Sequence, residues 1–390
     1  MDYGKAAISL HRKLQGKLEI ASKTSIKTKD DLSTIYTPGV AAVSSYISQN
    51  PKSVFDLTLK GRTVAVISDG SAILGLGNLG PEAALPVMEG KCLLFKTFAG
   101  LDAFPIVLNT QDTQEIINTV RAIAPTFAAI NLEDISAPRC FEIEKALQDL
   151  PIPVMHDDQH GTAMAILGPL QTAVRLAGKS WFKLKVVISG AGAAGSAVAK
   201  MLTCHDFDAT YCSSVSDLIL VDSKGTIYEG REGMEPYKIN LAKFTNKRKI
   251  HGSLQKALGG ADVFIGLSAP GVLKAEYIKK MADDPIIFAM ANPTPEIMPH
   301  EAKKAGVRFI ATGRSDFPNQ VNNSLIFPSL FKGAIEAHAG KITPLMKIRA
   351  AEALGSVLKN PTVEKFVPSM FDPEVAKRVS LAVAQAAKED

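Results

Sequence analysis

The chain of 390 residues has little cysteine, no dominant sign of charge and no apolar run long enough to span a bilayer. Its four cysteines, Cys92, Cys140, Cys204 and Cys212, include no C-x-x-C pair of the zinc or redox type, and so few make no disulfide scaffold. Reduced thiols and a cytoplasmic setting are the expectation. Lys and Arg total 44 against 39 Asp and Glu, a formal +5 spread along the chain with only short runs such as Lys247-Arg248-Lys249. A nucleic-acid binder gathers its basic residues in a stripe or patch, so no nucleic-acid partner is expected. No stretch reaches the roughly 18 apolar residues of a transmembrane helix, which argues against a membrane partner. The opening Met1-Asp2-Tyr3-Gly4-Lys5 lacks the apolar region of a signal peptide. No internal repeat or low-complexity tract is present.

What is there is a chain with 46% hydrophobic residues, enough for two cores at this length. Residues 6–18 read as an amphipathic helix, with Ile8, Leu10 and Leu14 set against His11, Arg12 and Lys13. Short β-branched or apolar runs follow at 63–67, 105–108, 128–132 and 152–155, separated by helical patterns such as 113–123 and a helix opening at Pro81 and running toward Phe98. A second alternating series places strands at 184–189, 218–221, 263–266, 286–290 and 308–311. From Thr343 onward the pattern is helical. Alternation of this kind predicts an α/β fold with two domains, each built on a mainly parallel sheet. The boundary is set near the apolar helix 162–176, giving units 1–160 and 161–390. The second unit is of the doubly wound, Rossmann type with helices at its C-terminal end.

The strand Lys185-Val186-Val187-Ile188-Ser189 runs into Gly190-Ala191-Gly192-Ala193-Ala194-Gly195 and then into helix-forming residues. A lone G-x-G-x-x-G is a weak signal, but strand before and helix after supply its context. Gly190 allows the tight turn, Gly192 the approach of a pyrophosphate and Gly195 close helix–strand packing, with phosphate charge at the helix N-terminus. Asp222 ends the next strand, where an acidic residue accepts from the ribose hydroxyls. The spacing to it is long, so 207–216 is expected to form an extra loop. Asp222 favours NAD, since a carboxylate repels a 2′-phosphate, while Ser223 and Lys224 argue for NADP. Further loops of small and amide residues, Ser268-Ala269-Pro270-Gly271, Asn292-Pro293-Thr294-Pro295 and 313–323, would open on the same crevice.

In the first unit, Glu133 and Asp134 follow one strand and Asp157 and Asp158 follow another. Two parallel strands ending side by side would bring these carboxylates together as hard oxygen ligands for Mg²⁺ or Mn²⁺, although solvated or helix-capping acids would leave the same pattern. His156 and His160 do not make a zincin motif and read as packing or hydrogen-bonding residues. Lys91 lies in an otherwise apolar segment. It either snorkels to water or faces the cleft, where desolvation and metal charge would lower its pKa toward that of a general base. Lys96 is its rival. Tyr36, in the turn Tyr36-Thr37-Pro38-Gly39-Val40, is either a structural hydroxyl or a proton donor.

Taken in order, these segments resemble the small-subunit malic enzymes of bacteria and archaea, essentially from end to end. The motifs that carry the resemblance include Tyr36-Thr37-Pro38-Gly39-Val40, Ser68-Asp69-Gly70 through Gly75-Leu76-Gly77-Asn78-Leu79-Gly80, and Glu89-Gly90-Lys91. They continue with Asn131-Leu132-Glu133-Asp134, His156-Asp157-Asp158-Gln159-His160-Gly161-Thr162, Ala291-Asn292-Pro293-Thr294-Pro295 and Gln320-Val321-Asn322-Asn323. The resemblance implies Tyr36 as general acid, Lys91 as general base and Asp157 as the carboxylate supporting the lysine. It implies Glu133, Asp134 and Asp158 as metal ligands, and Asn292 and Asn323 as amides at the substrate or nicotinamide. The larger-subunit branch carries an arginine just after Asp-Gly; here Ser71 and Ala72 follow, and Arg314 is the candidate cation for a substrate carboxylate. A homodimer is implied, as is oxidative decarboxylation of malate to pyruvate with NAD or NADP, NAD slightly favoured. The competing readings are a malolactic enzyme on the same scaffold, a simple 2-hydroxy-acid dehydrogenase without need of the carboxylates, and a nucleotide-sensing protein that has lost catalysis.

Overall fold

Thr63–Ser68 (β1) is buried along its whole length, as a strand covered on both faces of a parallel sheet must be. In the computed structural model, which describes residues 3–389, β1 pairs in parallel with β2 (Asp102–Val107) and β3 (Ala129–Leu132), and β3 pairs with β4 (Val154–His156). The order is β2-β1-β3-β4. The helices Pro81–Leu94, Thr113–Ile123 and Arg139–Ala146 make the crossovers. The first of these ends earlier than expected, because Phe95–Ala99 widens into a π-helical turn that buries Phe95 and Ala99. Such widenings are frequent near functional sites, and this one follows Lys91 by one turn.

The second sheet holds β5 (Lys185–Ser189), β6 (Asp217–Asp222), β7 (Gly225–Thr226), β8 (Val263–Gly266), β9 (Ile286–Ala289) and β10 (Phe309–Thr312), in the order β10-β9-β8-β5-β6-β7. Every pairing is parallel except β6 with β7, a short hairpin not expected from the sequence. Winding reverses at β5, which lies between β6 and β8. The ligand crevice of such a sheet opens at the C-terminal end of that strand.

Helix Asp157–Leu176 leaves β4 without a linker and packs on helices Ala193–Leu202 and Pro344–Gly355. Fourteen of its residues are buried, so the helix joins the two sheets through a shared core that runs from Val64 and Phe95 to Ile188 and Phe327. From Thr343 onward the chain is helical, as expected, in Pro344–Gly355 and Pro373–Ala386, and the helix Phe327–Glu336 precedes them.

The expectation of reduced thiols fails. Cys204 and Cys212 are disulfide-bonded, while Cys92 and Cys140 are free and buried. Cys204 takes a left-handed conformation after helix Ala193–Leu202, and the 203–216 loop folds back so that the two Cα atoms lie 5.7 Å apart, within bridging range. A spacing of eight residues carries no such signal. The N-terminal helix spans Tyr3–Leu14 and buries none of its residues. None of the described residues as far as Arg62 is buried either, so the apolar stripe read from the sequence faces no core of its own chain. No helix among the described residues is long and apolar enough to cross a membrane.

Candidate active site

The parallel register of β3 and β4 sets Leu132 opposite His156, so the residues that follow, Glu133-Asp134 and Asp157-Asp158, emerge side by side. One carboxylate oxygen from each of Glu133, Asp134 and Asp158 lies within 4.8 Å of the others. Asp134 holds this position in a left-handed conformation, φ 53°, one that aspartate tolerates better than most residues. Its amide donates to Asp158 Oδ2 at 2.8 Å, while its own Oδ2 is buried without a partner. Burial raises the Glu133 carboxyl well above its ordinary value. Burial, with the charge of Asp158 added, pushes Asp134 up to about 7. A crowded trio of carboxylates, two of them buried, with an orphaned oxygen fits a hard divalent cation such as Mg²⁺ or Mn²⁺.

Lys91 faces this trio. Its ammonium lies 2.5 Å from Asp157 Oδ2 and 2.9 Å from Glu133 Oε1, with its side chain 13% exposed. The Phe327 ring sits 4.4 Å away and is itself packed edge-on against Phe95. Asn323 donates to the same Asp157 oxygen at 2.8 Å, so Lys91 and Asn323 fix one carboxylate from both sides. Asp157 is fully buried, and burial raises its carboxyl against the opposing pull of Lys91. The expected lowering of Lys91 is not what these charges produce. Burial pulls it down, but Asp157, Glu133 and Asp158 outweigh burial and hold it raised. The carboxylates that hold the ammonium include those a divalent cation would engage, so filling the trio removes charge that keeps the proton on.

The other sequence candidates distribute unevenly. Lys96 is exposed and pairs with Asp102 at 2.7 Å, away from the trio. Tyr36 caps the C-terminal end of helix Lys29–Ile35 and is 66% exposed, in contrast to the buried surroundings of Lys91. Arg314 is committed to Asp316 through two bonds of 2.8 and 2.7 Å and to Pro293 O, so it is no free cation. Asn292 is exposed at the end of β9, and a Cβ on Gly75 would stand 2.3 Å from its carbonyl oxygen. Only glycine allows the loop of the first sheet to approach the second so closely. His160 hydrogen-bonds Glu144 at 2.9 Å, whereas both ring nitrogens of His156 are buried without hydrogen-bond partners, Nε2 lying 3.8 Å from Asp158 Oδ2.

Sequence reasoning passed over the supports. Buried Glu144 accepts from His156 N, Gln159 Nε2 and His160, fastening the first turn of helix Asp157–Leu176. Arg139 bonds Asp69, Ser71 and Ser136, bracing the Gly70 turn beside Asp134. Glu296, fully buried, accepts from the amides of Ser268 and Ala291 and so ties two crevice loops together. None of these pairs has a sequence spacing that announces it.

At the end of β5, Gly190 has φ 112°, and a Cβ on Gly195 would lie 2.0 Å from Gly190 O. A Cβ on Gly192 would meet nothing within 4 Å, which leaves its backbone face open to a pyrophosphate. Ala193 and Ala194 begin helix Ala193–Leu202, whose first-turn amides lack a side-chain cap. A cavity of about 710 Å³ continues from there, lined among others by Gly190, Asp222, Ser223, Lys224, Ser268 and Ala269. The fit to a dinucleotide is good. Asp222, though, is already occupied: Arg231 donates to both of its oxygens, at 2.9 and 2.5 Å.

Comparison with known proteins agrees with this geometry. Residues 15–148 match the malic enzyme N-terminal domain and residues 159–388 the malic enzyme NAD-binding domain. The chain is 51% identical over 393 residues to a bifunctional malic/malolactic enzyme of Bacillus subtilis, covering 100% of this chain and 94% of that protein. It is 52% identical over 375 residues to an NAD-dependent malic enzyme of Geobacillus stearothermophilus, covering 95% and 77%. The crystal structure of an NAD-dependent malic enzyme from Thermotoga maritima superposes with a TM-score of 0.92 at 45% identity, covering 97% of this chain and 98% of that one. The chain belongs to the malic enzyme family.

Proposed function

We propose that the chain catalyses the divalent-metal-dependent oxidative decarboxylation of (S)-malate to pyruvate and carbon dioxide, with reduction of NAD or NADP. The observation that carries this reading is the buried Lys91 ammonium, held between Asp157 and Glu133 at the edge of a three-carboxylate cluster. A simple dehydrogenase has no use for that cluster. A cation held by Glu133, Asp134 and Asp158 would supply Lewis acidity to the substrate's oxygens, and a nicotinamide dinucleotide held at the Gly190–Gly195 turn would supply the hydride acceptor. Lys91 takes the proton from the C2 hydroxyl, Asp157 orients the amine, and Asn323 keeps Asp157 in place. Asn292 reaches the substrate or nicotinamide from the opposite side of the cleft. Buried walls and the loop at Gly75 exclude water around the reacting carbons.

Tyr36 is the proton donor to C3 of the enolate. Its exposure in a segment without a buried residue supports a homodimer in which the second copy covers residues 3–62. Ile20 (88% exposed), Ile8 (58%) and Tyr46 (54%) would otherwise stay in water. The site that Tyr36 serves is then completed by assembly. A cytoplasmic location goes with a small-molecule substrate and the NAD(P) pool.

The test incubates the protein with malate, Mn²⁺ and NAD or NADP and follows products by proton NMR. Pyruvate and reduced cofactor in equal amounts are expected. Lactate without net reduction of cofactor would assign malolactic chemistry, which the name of the Bacillus subtilis relative makes a specific alternative. No consumption of malate would refute both.

A further inference from the structure

Asp222 stands where a carboxylate accepts from the adenosine ribose, yet its acceptor positions are filled. Oδ1 accepts from the Lys224 amide at 2.9 Å and from Arg231 Nη1 at 2.9 Å. Oδ2 takes Arg231 Nη2 at 2.5 Å and lies 3.3 Å from Lys238 Nζ. A carboxylate offers about four lone-pair positions, and four donors already surround this one. The arginine is fixed in turn: Nη1 also reaches Gly225 O and Thr226 O on β7, and its side chain is only 10% exposed. It follows the β6–β7 hairpin in the chain, braces it from Gly225 and Thr226 to Asp222, and holds the carboxylate by a planar two-point contact.

The local charge follows from these contacts. The negative charge of Asp222 is matched by Arg231, and Lys238 is shared between Asp222 and Glu235, 2.8 Å away. Lys224 and Ser223 are exposed on the cavity wall. Among the described residues no carboxylate lies within ion-pairing distance of the Lys224 ammonium. A phosphate on the ribose 2′ position would therefore meet a neutralised carboxylate, a free ammonium and a hydroxyl. A ribose 2′-hydroxyl would meet an acceptor with little capacity left.

We propose that this chain binds NADP with an affinity comparable to NAD, and that Arg231 sets this by neutralising and occupying Asp222. The inference rests on the dinucleotide site of the proposed function and concerns its adenosine end. Arg231 is a positioning residue: it acts through Asp222 and need not touch the cofactor. Freed of Arg231, Asp222 would regain both its charge and its lone pairs, and the site would turn toward NAD.

The experiment measures dissociation constants of NADH and NADPH by nicotinamide fluorescence, without malate or metal, so that turnover plays no part. Wild-type protein should bind both within about tenfold of each other, and Arg231→Gln should worsen NADPH relative to NADH by roughly tenfold or more. Arg231→Lys, which keeps the charge, should restore much of the ratio, whereas loss of a merely structural contact would weaken both cofactors alike. If Arg231→Gln does not fold, Lys224→Gln on the exposed turn should move the ratio in the same direction by roughly fivefold. An unshifted ratio in whichever of these variants is measured overturns the inference, as does wild-type protein that binds NADH alone. Failure of wild-type protein to bind either dinucleotide would instead overturn the site itself, and the inference with it.

Discussion

Gly161 offers a sharp test of how Lys91 is held, because the change to alanine should stabilise an ordinary helix and here should not. Gly161 lies in helix Asp157–Leu176, one turn after Asp157 and on the same face. Elsewhere in such a helix Gly→Ala would gain about 1 kcal/mol from propensity. A Cβ at this position would stand 1.8 Å from Asp157 Oδ1 and 3.1 Å from Asn323 Cβ. The carboxylate has to move, yet it is buried and fixed by Lys91 at 2.5 Å and Asn323 at 2.8 Å. Separating a buried ion pair typically costs about 3–5 kcal/mol, so the net change in Gly161→Ala should be a loss of about 2–4 kcal/mol. A displacement near 1 Å at a positioning group is worth on the order of 10² in rate, and kcat should fall accordingly. Urea unfolding gives the first quantity and malate-dependent NAD(P)H formation the second. A variant that is about 1 kcal/mol more stable and fully active would show that Asp157 is not held as described.

Three further outcomes are expected. Asp158→Asn should weaken Mn²⁺ binding measured by calorimetry, and chelation of wild-type protein should abolish turnover; an unchanged Mn²⁺ affinity would remove Asp158 from the cation site. Glu144 is held down to about 2: burial opposes ionisation, but His160, Lys347 and the His156 amide outweigh it. Its stabilisation is therefore complete above its unfolded value and lost as pH falls from about 4.5 through 2, amounting to about 3 kcal/mol. The stability difference between wild type and Glu144→Gln should shrink across that window, and a difference independent of pH would refute the assignment. For the shared site, mixed dimers of Tyr36→Phe and Lys91→Met chains should regain activity that neither homodimer has, since one of their two sites receives both native residues; each parent should be down by about 10²–10⁴. Mixtures that dimerise and stay inactive would place Tyr36 and Lys91 in the same chain's site.

What the sequence made legible was what local order and parallel register determine. The phosphate-binding turn is a strand, a turn and a helix within eighteen consecutive residues, and two of its glycines have a local steric reason, Gly190 in its positive φ and Gly195 in its contact with Gly190 O. The carboxylate trio spans two strands, but parallel neighbours end at the same level, so acids placed just after β3 and β4 had to meet. Direction of charge was not legible. Lys91 was expected to be lowered by desolvation together with the charge of a metal; burial does act that way, but among the protein's own charges three carboxylates, one after β3 and two after β4, outweigh it. Asp222 shows the same limit from the other side. Its position at the end of β6 was readable, whereas its partner Arg231 arrives through a two-residue β7 too short to leave a periodic pattern. Tyr36 and the apolar residues around it show where one chain's sequence stops being enough. A motif can name a residue for a task, but the periodicity that marks residues 6–18 as amphipathic does not say whether the covering surface is this chain or another copy. The lack of any buried residue from Tyr3 to Arg62 is what the proposed homodimer rests on, because residues as exposed as Ile20 and Ile8 gain little from folding until a second surface removes them from water.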